Sequence, residues 1–264
     1  MKIFTILALL IASAACVQAQ ETGFVKRQLT FQDTEICYQV FVPPGYSADK
    51  AWPVILFLHG AGERGIDCDE QTAVGLGPAV RKQMQDFPAI VVFPQAPPRS
   101  LWIGPMEEMA LATLQQTKAE FNVDTTRIYL TGLSLGGYGT WYLAAHNPGL
   151  FAAIAPVCGG VTPPRMRYGL PPEIMAFIPK EKPYETIAEK IGKTPVWIFH
   201  GDADRRIPVT ESRNMHEALK AAGGDVRYTE YPGVPHNSWD HAYAETGFYE
   251  WPFAQRLGNR LSKK

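Results

Sequence analysis

The sequence predicts an α/β fold in which helices cover both faces of a mostly parallel sheet. Short apolar runs alternate along the chain with segments of helical spacing, which is typical of parallel strands joined by helices. Several of these runs are apolar throughout, as expected of strands that are buried on both faces. The 264 residues are 46% hydrophobic and 19% charged, which suits one large buried core. One domain is therefore expected after an N-terminal targeting segment.

Strands and helices follow one another in a regular order. Runs of strand-favouring residues, most of them apolar, predict strands at residues 35–42, 53–58, 89–93, 127–131, 151–157, 195–199 and 225–231. Helical spacing and helix-favouring residues predict helices at residues 107–121, 135–146, 210–222 and 240–257. No internal repeat or low-complexity tract interrupts the pattern.

The segment 159–193 departs from this alternation. It holds six prolines and a set of large apolar side chains, and it follows the strand that comes after the predicted helix 135–146. A connection of this length in a compact domain is usually functional, so we interpret it as a lid-like insertion that covers the substrate. The alternative is that its apolar residues pack an extra helix onto the core.

A candidate nucleophile lies between the strand 127–131 and the helix 135–146. The residues Gly-Leu-Ser-Leu-Gly occupy positions 132–136 and centre on Ser134. A serine on a sharp strand-to-helix turn takes a strained backbone conformation, and the flanking glycines remove the clash with the adjoining elements. The alternative reading is that Ser134 simply begins the helix as its N-cap.

A nucleophilic serine needs an acid and a base, which in this arrangement follow it in the order Asp or Glu, then His. Two carboxylates follow the buried strand 195–199, namely Asp202 and Asp204. We favour Asp204, because its position in the loop allows it to fold back toward an imidazole. Asp202 instead suits an Asx turn that stabilises the loop.

The base is chosen among six histidines. His59 and His200 each precede a glycine at the end of a buried strand and are expected to orient loops, and two others lie in predicted helices. His236 lies in the loop between the strand 225–231 and the last helix, where its ring is free to reach Ser134. His241 is the alternative, but it falls in the first turn of that helix.

The donors for a developing oxyanion can also be placed. The strand 53–58 is followed by a glycine-rich turn at residues 59–65, whose backbone N–H groups can point at a negatively charged oxygen. Leu135, directly after the serine, supplies one N–H group and Ala61 supplies the other. A phosphate-binding loop is excluded as an alternative, because no Lys-Ser or Lys-Thr pair follows.

Four linked motifs resemble one known family. The strings LHGAGERG at 58–65, PQAP at 94–97, VDTTRIYLTGLSLGG at 123–137 and HGDAD at 200–204 resemble the prolyl-oligopeptidase-like predicted peptidases and esterases of the α/β-hydrolase superfamily, and HNSW at 236–239 fits the same pattern. The resemblance covers about residues 25–257. It implies a triad of Ser134, Asp204 and His236, the same residues reached above.

The resemblance implies a serine hydrolase that needs no cofactor and no metal. Carboxylesterases, feruloyl esterases and acetyl-xylan esterases belong to the family, so we expect an ester hydrolase, with a small-molecule or polysaccharide-linked ester as substrate. A serine peptidase of the prolyl-oligopeptidase type is the alternative, and a non-catalytic binding protein on the same scaffold is the alternative of another class. Trp102 and Trp239 are candidates for an apolar substrate pocket.

The N-terminus and the charge bound the location and the partners. Lys2, the apolar stretch 3–15 and small residues before Gln20 predict a signal peptide at 1–19, so the protein is expected to be exported and to have no membrane span. Cys16 leaves a lipoprotein signal as the minor alternative. After cleavage, one disulfide is feasible among Cys37, Cys68 and Cys158. A net charge of −1 argues against nucleic acid as a partner.

Overall fold

The computed structural model describes residues 21–162 and 178–258. Eight strands form one sheet in the order β1-β2-β4-β3-β5-β6-β7-β8. Strands β1 and β2 form an antiparallel hairpin, and β2 also pairs antiparallel with β4. All other neighbours are parallel. The mostly parallel sheet predicted from the sequence is therefore confirmed.

The strands and helices alternate along the chain from β3 onward. The strands are β1 Gly23–Phe31, β2 Thr34–Val42, β3 Trp52–Leu58, β4 Ile90–Pro94, β5 Val123–Leu133, β6 Ala153–Val157, β7 Val196–Gly201 and β8 Val226–Tyr231. The helices are α1 Leu76–Lys82, α2 Pro105–Glu120, α3 Leu135–His146, α4 Pro183–Ile191, α5 Thr210–Ala221, α6 Trp239–Ala242 and α7 Glu250–Phe253, with a 3₁₀ turn at Glu70–Thr72.

The sheet is buried on both faces because successive residues of its central strands point to opposite sides. In β3, Val54, Leu56 and Leu58 belong to one apolar cluster with residues of α2, α3, α4 and α5. Ile55 and Phe57 belong to a second cluster, which includes residues of α1, α6 and α7. The continuous apolar runs of the sequence therefore correspond to strands covered by helices on both sides, which is the α/β-hydrolase architecture.

Of the hairpin formed by β1 and β2, the sequence predicts only the second strand. The turn residues Gln32 and Asp33 both adopt positive φ, of 47° and 60°. Such a turn usually contains Asn-Gly or Asp-Gly, so the pair Gln-Asp gives little signal. Strand β1 lies at the edge of the sheet, and beyond the buried Val25 its residues alternate between exposed and half-buried. The sequence analysis does not predict this strand.

The predicted helix 240–257 is wrong in its length. The chain instead forms the short helices α6 and α7, separated by a turn in which Gly247 has a φ of 79°. A residue in this left-handed conformation interrupts the i to i+4 hydrogen bonding of a helix. The sequence analysis also missed α1, a helix of seven residues.

The insertion 159–193 is described in part. Its C-terminal portion contains α4, which buries Ile187, Ala188 and Ile191 and packs against α3 and α5. This portion therefore packs a helix onto the core, as the alternative interpretation held. Residues 163–177 lie outside the described residues, so a lid formed by them stays a prediction.

A disulfide joins the hairpin to the loop that follows β3. Cys37 of β2 is bonded to Cys68, and Cys158 is free and buried. This is the single disulfide that three cysteines of the mature chain allow. None of the helices within residues 21–162 and 178–258 is both long and apolar enough to cross a membrane.

Candidate active site

The loops at the carboxyl ends of the parallel strands carry the candidate site. β3 lies between β4 and β5, so the chain passes to one side of β3 and then returns to the other. At such a reversal of strand order, the loops diverge and leave a crevice. Leu58 at the end of β3 pairs with Gly132 of β5, which places the glycine-rich turn beside the candidate nucleophile.

Ser134 lies at a sharp turn between β5 and α3. Its φ is 53° and its ψ is −114°, a conformation that costs a non-glycine residue about 1–3 kcal/mol. Its N–H group donates to the carbonyl oxygen of Val157 at 3.0 Å, which ties the turn to the end of β6. The N-cap alternative does not fit this geometry, since the Ser134 side chain makes no capping hydrogen bond.

Three glycines permit the turn because backbone atoms of neighbouring elements occupy the space that a Cβ atom would need. A Cβ atom on Gly132 would overlap the carbonyl of Gly136, and one on Gly136 would overlap the carbonyl of Leu58. A Cβ on Gly137 would lie 2.6 Å from the carbonyl oxygen of Val157. The spacing of glycines around the serine is thus required by the contact of α3 with the ends of β3 and β6.

The structure brings Ser134, His236 and Asp204 together in one hydrogen-bonded series. His236 Nε2 lies 2.9 Å from Ser134 Oγ, and His236 Nδ1 lies 2.6 Å from Asp204 Oδ2. Since a carboxylate only accepts, Nδ1 carries the proton and Nε2 of a neutral ring is free to accept from the serine hydroxyl. The three residues come from three separate loops in the chain order predicted.

Asp204 is buried but remains a carboxylate. Burial alone would raise its pKa, but hydrogen bonds from His200, from His236 and from the N–H groups of Ile207 and Arg206 outweigh burial and hold the pKa well below its usual range. The two N–H groups donate to Oδ1 at 3.0 and 2.8 Å. A permanent negative charge therefore lies beside the His236 ring.

The glycine-rich turn after β3 is oriented by His59. The buried His59 ring donates from Nδ1 to the Gly60 carbonyl at 2.7 Å, and its Nε2 accepts from the Ala96 N–H at 3.0 Å. Burial, the largest effect, lowers the pKa of His59 to about 4, so the ring is neutral at pH 7. In a trans peptide the C=O and N–H bonds point in opposite directions. His59 therefore turns the Ala61 N–H group away from its own ring.

The other predicted oxyanion donor is the N–H group of Leu135. Because α3 begins at Leu135, its N–H group has no acceptor within the helix. Arg64 holds the next peptide of the turn, donating from Nε to the Ala61 carbonyl at 2.9 Å. Burial raises the pKa of Glu63, which disfavours a negative charge next to this turn.

The position of Trp102 does not agree with the predicted substrate contact. Trp102 is 1% exposed, and its indole N–H donates to the His59 carbonyl at 2.9 Å. Its ring also packs edge-on against the His59 ring, with centroids 5.0 Å apart. A side chain enclosed in this way stabilises the glycine-rich turn from the protein interior and has no surface left for a ligand.

The structure gives the remaining candidate residues different positions relative to the triad. Trp239 is half-buried and its ring lies edge-on to the His236 ring, at 5.4 Å between centroids. Asp202 accepts from the Gly233 N–H at 2.6 Å and thus braces one loop against another, which agrees with a structural role. His241 lies in α6 and contacts Tyr231 rather than Ser134.

Two functional contacts escaped the sequence analysis. Ser212 binds the His200 ring, and Glu211 accepts hydrogen bonds from the N–H groups of Val161 and Thr162 at the start of the insertion. Both lie in the first turn of α5, where Ser and Glu look like ordinary helix-starting residues. In the part of the chain that the structure describes, no cluster of three or more His, Cys, Asp or Glu residues suits a metal ion.

Comparison with known proteins identifies the family. Residues 108–252, more than half of the chain, match the prolyl oligopeptidase family. The chain belongs to this family. The resemblance inferred from the motifs is therefore confirmed, and the predicted class of enzyme, a serine hydrolase, agrees with this membership.

This chain is also similar to solved structures of esterases. A solved thermostable esterase superimposes with a TM-score of 0.74 at 32% identity, covering 88% of this chain and 63% of that one. A solved ferulic acid esterase superimposes with a TM-score of 0.67 at 17% identity, covering 87% and 96% of the two chains, and shows the fold alone.

A curated relative comes from Arthroderma benhamiae and is described as an uncharacterized secreted protein. It is 28% identical over 206 residues, which are 70% of this chain and 21% of the relative. The chain thus spans only about a fifth of that relative's length. A secreted relative is consistent with the export predicted from the N-terminal residues.

Proposed function

We propose that this chain is a carboxylic-ester hydrolase that works through an acyl-enzyme on Ser134. The hydrogen-bonded series from Ser134 through His236 to Asp204, with distances of 2.9 and 2.6 Å, is the observation that carries the proposal. The 32% identical thermostable esterase supports an ester as the substrate.

The reaction follows from the protonation states of the site. His236 Nε2 takes the hydroxyl proton as Ser134 Oγ forms a bond to the ester carbonyl carbon, and the N–H groups of Ala61 and Leu135 stabilise the resulting oxyanion. The oxyanion collapses, the ester C–O bond breaks and the alkoxide leaves with the proton from His236. Water then attacks the acyl-enzyme with His236 again as base, which releases the acid and restores Ser134. Asp204 stabilises the imidazolium in both halves.

The substrate class we propose is a feruloyl or acetyl ester of plant polysaccharide. Solved proteins named as ferulic acid esterases share the fold, at 17% and 19% identity. The half-buried Trp239 next to His236 offers an aromatic surface for the acyl or alcohol group. The family name favours a peptidase of the prolyl-oligopeptidase type as the second candidate.

Export is part of the proposal. The disulfide Cys37–Cys68 requires an oxidising compartment, and a relative is described as secreted. The periplasm or the extracellular medium meets that requirement.

The test is hydrolysis of short-chain p-nitrophenyl esters, together with fluorophosphonate labelling. We expect turnover and labelling of the wild type and of Ser47→Ala, which changes an exposed serine, and neither in Ser134→Ala. Absence of both in the wild type would favour a binding protein. A panel of aryl, feruloyl and acetyl-sugar esters beside a proline-containing peptide then separates esterase from peptidase.

A further inference from the structure

Asp204 is held by a second histidine in addition to His236. His200 Nε2 lies 3.2 Å from Asp204 Oδ2, the same oxygen that His236 contacts at 2.6 Å. The side chains of His200 and Asp204 are both 0% exposed, so no water competes for this contact. The acid of the site thus lies between two imidazole rings.

The surroundings of His200 fix where its protons lie. Nε2 faces two acceptors, Asp204 Oδ2 and the Ile207 carbonyl oxygen at 3.1 Å, so it must carry a hydrogen. Nδ1 lies 2.7 Å from Ser212 Oγ, whose hydroxyl can donate to it. Ser212 is 1% exposed. A Ser212 hydroxyl that donates to Nδ1 leaves the ring hydrogen on Nε2, from which it points toward Asp204.

His200 and its contacts all lie on β7, on α5 or in the loop between them. His200 lies at the end of β7, Asp204 and Ile207 lie in the loop that follows, and Ser212 lies in the first turn of α5. By contacting both Asp204 and Ile207, the ring closes the loop on itself. Glu230 pairs with His200 across β7 and β8, and the Glu230 carboxylate accepts from Arg213 at 2.6 Å.

We propose that His200, oriented by Ser212, is a positioning residue that holds Asp204 Oδ2 for His236 and sets how strongly that oxygen binds the imidazolium. This inference rests on the proposed function. Because Oδ2 is shared, its attraction for the proton of His236 Nδ1 is weaker than that of an oxygen with one partner. His200 touches neither Ser134 nor the reacting atoms, so its effect passes through Asp204.

Two variants of His200 separate positioning from packing. His200→Gln keeps an N–H donor at about the reach of Nε2, whereas His200→Met fills the space without a donor. We expect His200→Met to lower kcat by about 10- to 100-fold per active site with KM little changed, because Oδ2 without its second donor is no longer held in line with His236 Nδ1. We expect His200→Gln to recover most of that loss, and Ser212→Ala to lie between the two. Fluorophosphonate titration counts the active sites and so removes any loss from misfolding.

The pH dependence of kcat/KM distinguishes the two roles, because a residue that only fills space would not change it. Without the second donor, Oδ2 stabilises the His236 imidazolium more strongly, so the acid limb of kcat/KM should move to higher pH in His200→Met and stay near its wild-type position in His200→Gln. Equal kcat and equal acid limbs in wild type and His200→Met, or equal losses in the Met and Gln variants, would overturn the inference.

One measurement does not depend on turnover. The proton on His236 Nδ1 should give a far-downfield ¹H NMR signal, because its hydrogen bond to Asp204 is short. We expect this signal to shift in His200→Met and to persist unchanged in His200→Gln. If the wild type hydrolyses no ester but the signal behaves in this way, the proposed function fails and the positioning role stands; an unchanged signal in His200→Met contradicts the role itself.

Discussion

At the scale of single residues, Asp202 and Asp204 lie two positions apart and have different tasks. The Asp204 side chain is fully buried between histidines, whereas Asp202 is exposed and braces the turn at Gly233. Asp204→Asn removes the charge that stabilises the imidazolium, so we expect kcat to fall by about 10³- to 10⁴-fold, as in comparable triads. Asp202→Asn is the matched control and should keep kcat within about twofold, since an amide oxygen can still accept from the Gly233 N–H. Steady-state kinetics on a p-nitrophenyl ester compares them, and equal losses would contradict these assignments.

The Gly60–Ala61 peptide depends on the His59 ring for its orientation. His59→Leu removes the donor to the Gly60 carbonyl and leaves the Ala96 N–H without its acceptor, so we expect kcat to fall by about 10- to 100-fold, somewhat less than removal of an oxyanion donor. His59→Asn places an amide near the position of Nδ1 and should retain more activity than His59→Leu. The measurement is kcat per fluorophosphonate-titrated site, and an unaffected His59→Leu would show that the turn keeps its shape without the ring.

The same histidine makes the fold sensitive to mild acid. The pKa of His59 is about 4 in the folded protein, because burial opposes the charge, and 6.5 in the unfolded chain. Below pH 6.5 the unfolded chain binds a proton that the folded protein does not, so the free energy of unfolding falls as the pH falls from 6.5 to 4, by about 3 kcal/mol in all.

Urea unfolding at pH 7.0 and pH 4.5 measures this loss. His59→Asn does not titrate in this range and should lose less stability between the two pH values than the wild type does. An identical loss in both proteins would assign the acid sensitivity to other groups.

At the scale of elements, the C-terminal segment is attached to the beginning of β5. Asp124 accepts from Arg127 at 2.7 Å and from Arg256 at 2.8 Å, and Leu257 N–H donates to the Thr126 carbonyl at 2.9 Å. Burial alone would raise the pKa of Asp124, but hydrogen bonds from Thr126, Arg127 and Arg256 outweigh it and hold the pKa far below its usual range. The carboxylate therefore links two distant parts of the chain.

We expect Asp124→Asn to destabilise the protein by about 1–2 kcal/mol, a value reduced by the exposure of Arg256. This corresponds to a Tm lower by about 3–6 °C, measurable by scanning calorimetry. Asp86→Asn changes an exposed aspartate and should leave Tm within about 1 °C. If both variants melt alike, the Asp124 contacts contribute nothing to the folded state.

The elements also show which structural features the sequence can predict. The seven predicted strands lie within a few residues of β2 to β8. The signal is most direct for β3, β4, β6 and β7, whose apolar runs report burial on both faces. Strand β1 gives no apolar run because Val25 is its one buried residue, and the predicted last helix is too long because Gly247 breaks it. In the site, the order of Ser134, Asp204 and His236 was readable, whereas the hydrogen bond from His200 to Asp204 depends on how a loop closes, which no spacing reports.

At the scale of the whole molecule, the disulfide ties the edge hairpin to the loop that contains the glycine-rich turn. Cys37 and Cys68 are separated by 31 residues, and closing a loop of that size in the unfolded chain stabilises the fold by about 4 kcal/mol. We therefore expect a reductant to lower Tm by about 10 °C.

The double variant Cys37→Ser/Cys68→Ser should melt near the temperature of the reduced wild type and should not respond to the reductant. Differential scanning fluorimetry with and without the reductant measures both proteins. An unchanged Tm of the reduced wild type would show that the bond is dispensable for the fold.

The buried thiol of Cys158 can report how often the central strands separate at their carboxyl ends. It lies at the end of β6, next to the Val157 carbonyl that holds the Ser134 N–H, and burial raises its pKa to about 12. Alkylating reagents reach it only when the ends of the central strands separate. The rate at which iodoacetamide modifies this sulfur thus measures how often the sheet opens locally beneath the nucleophile. A ligand that closes the crevice should slow this modification.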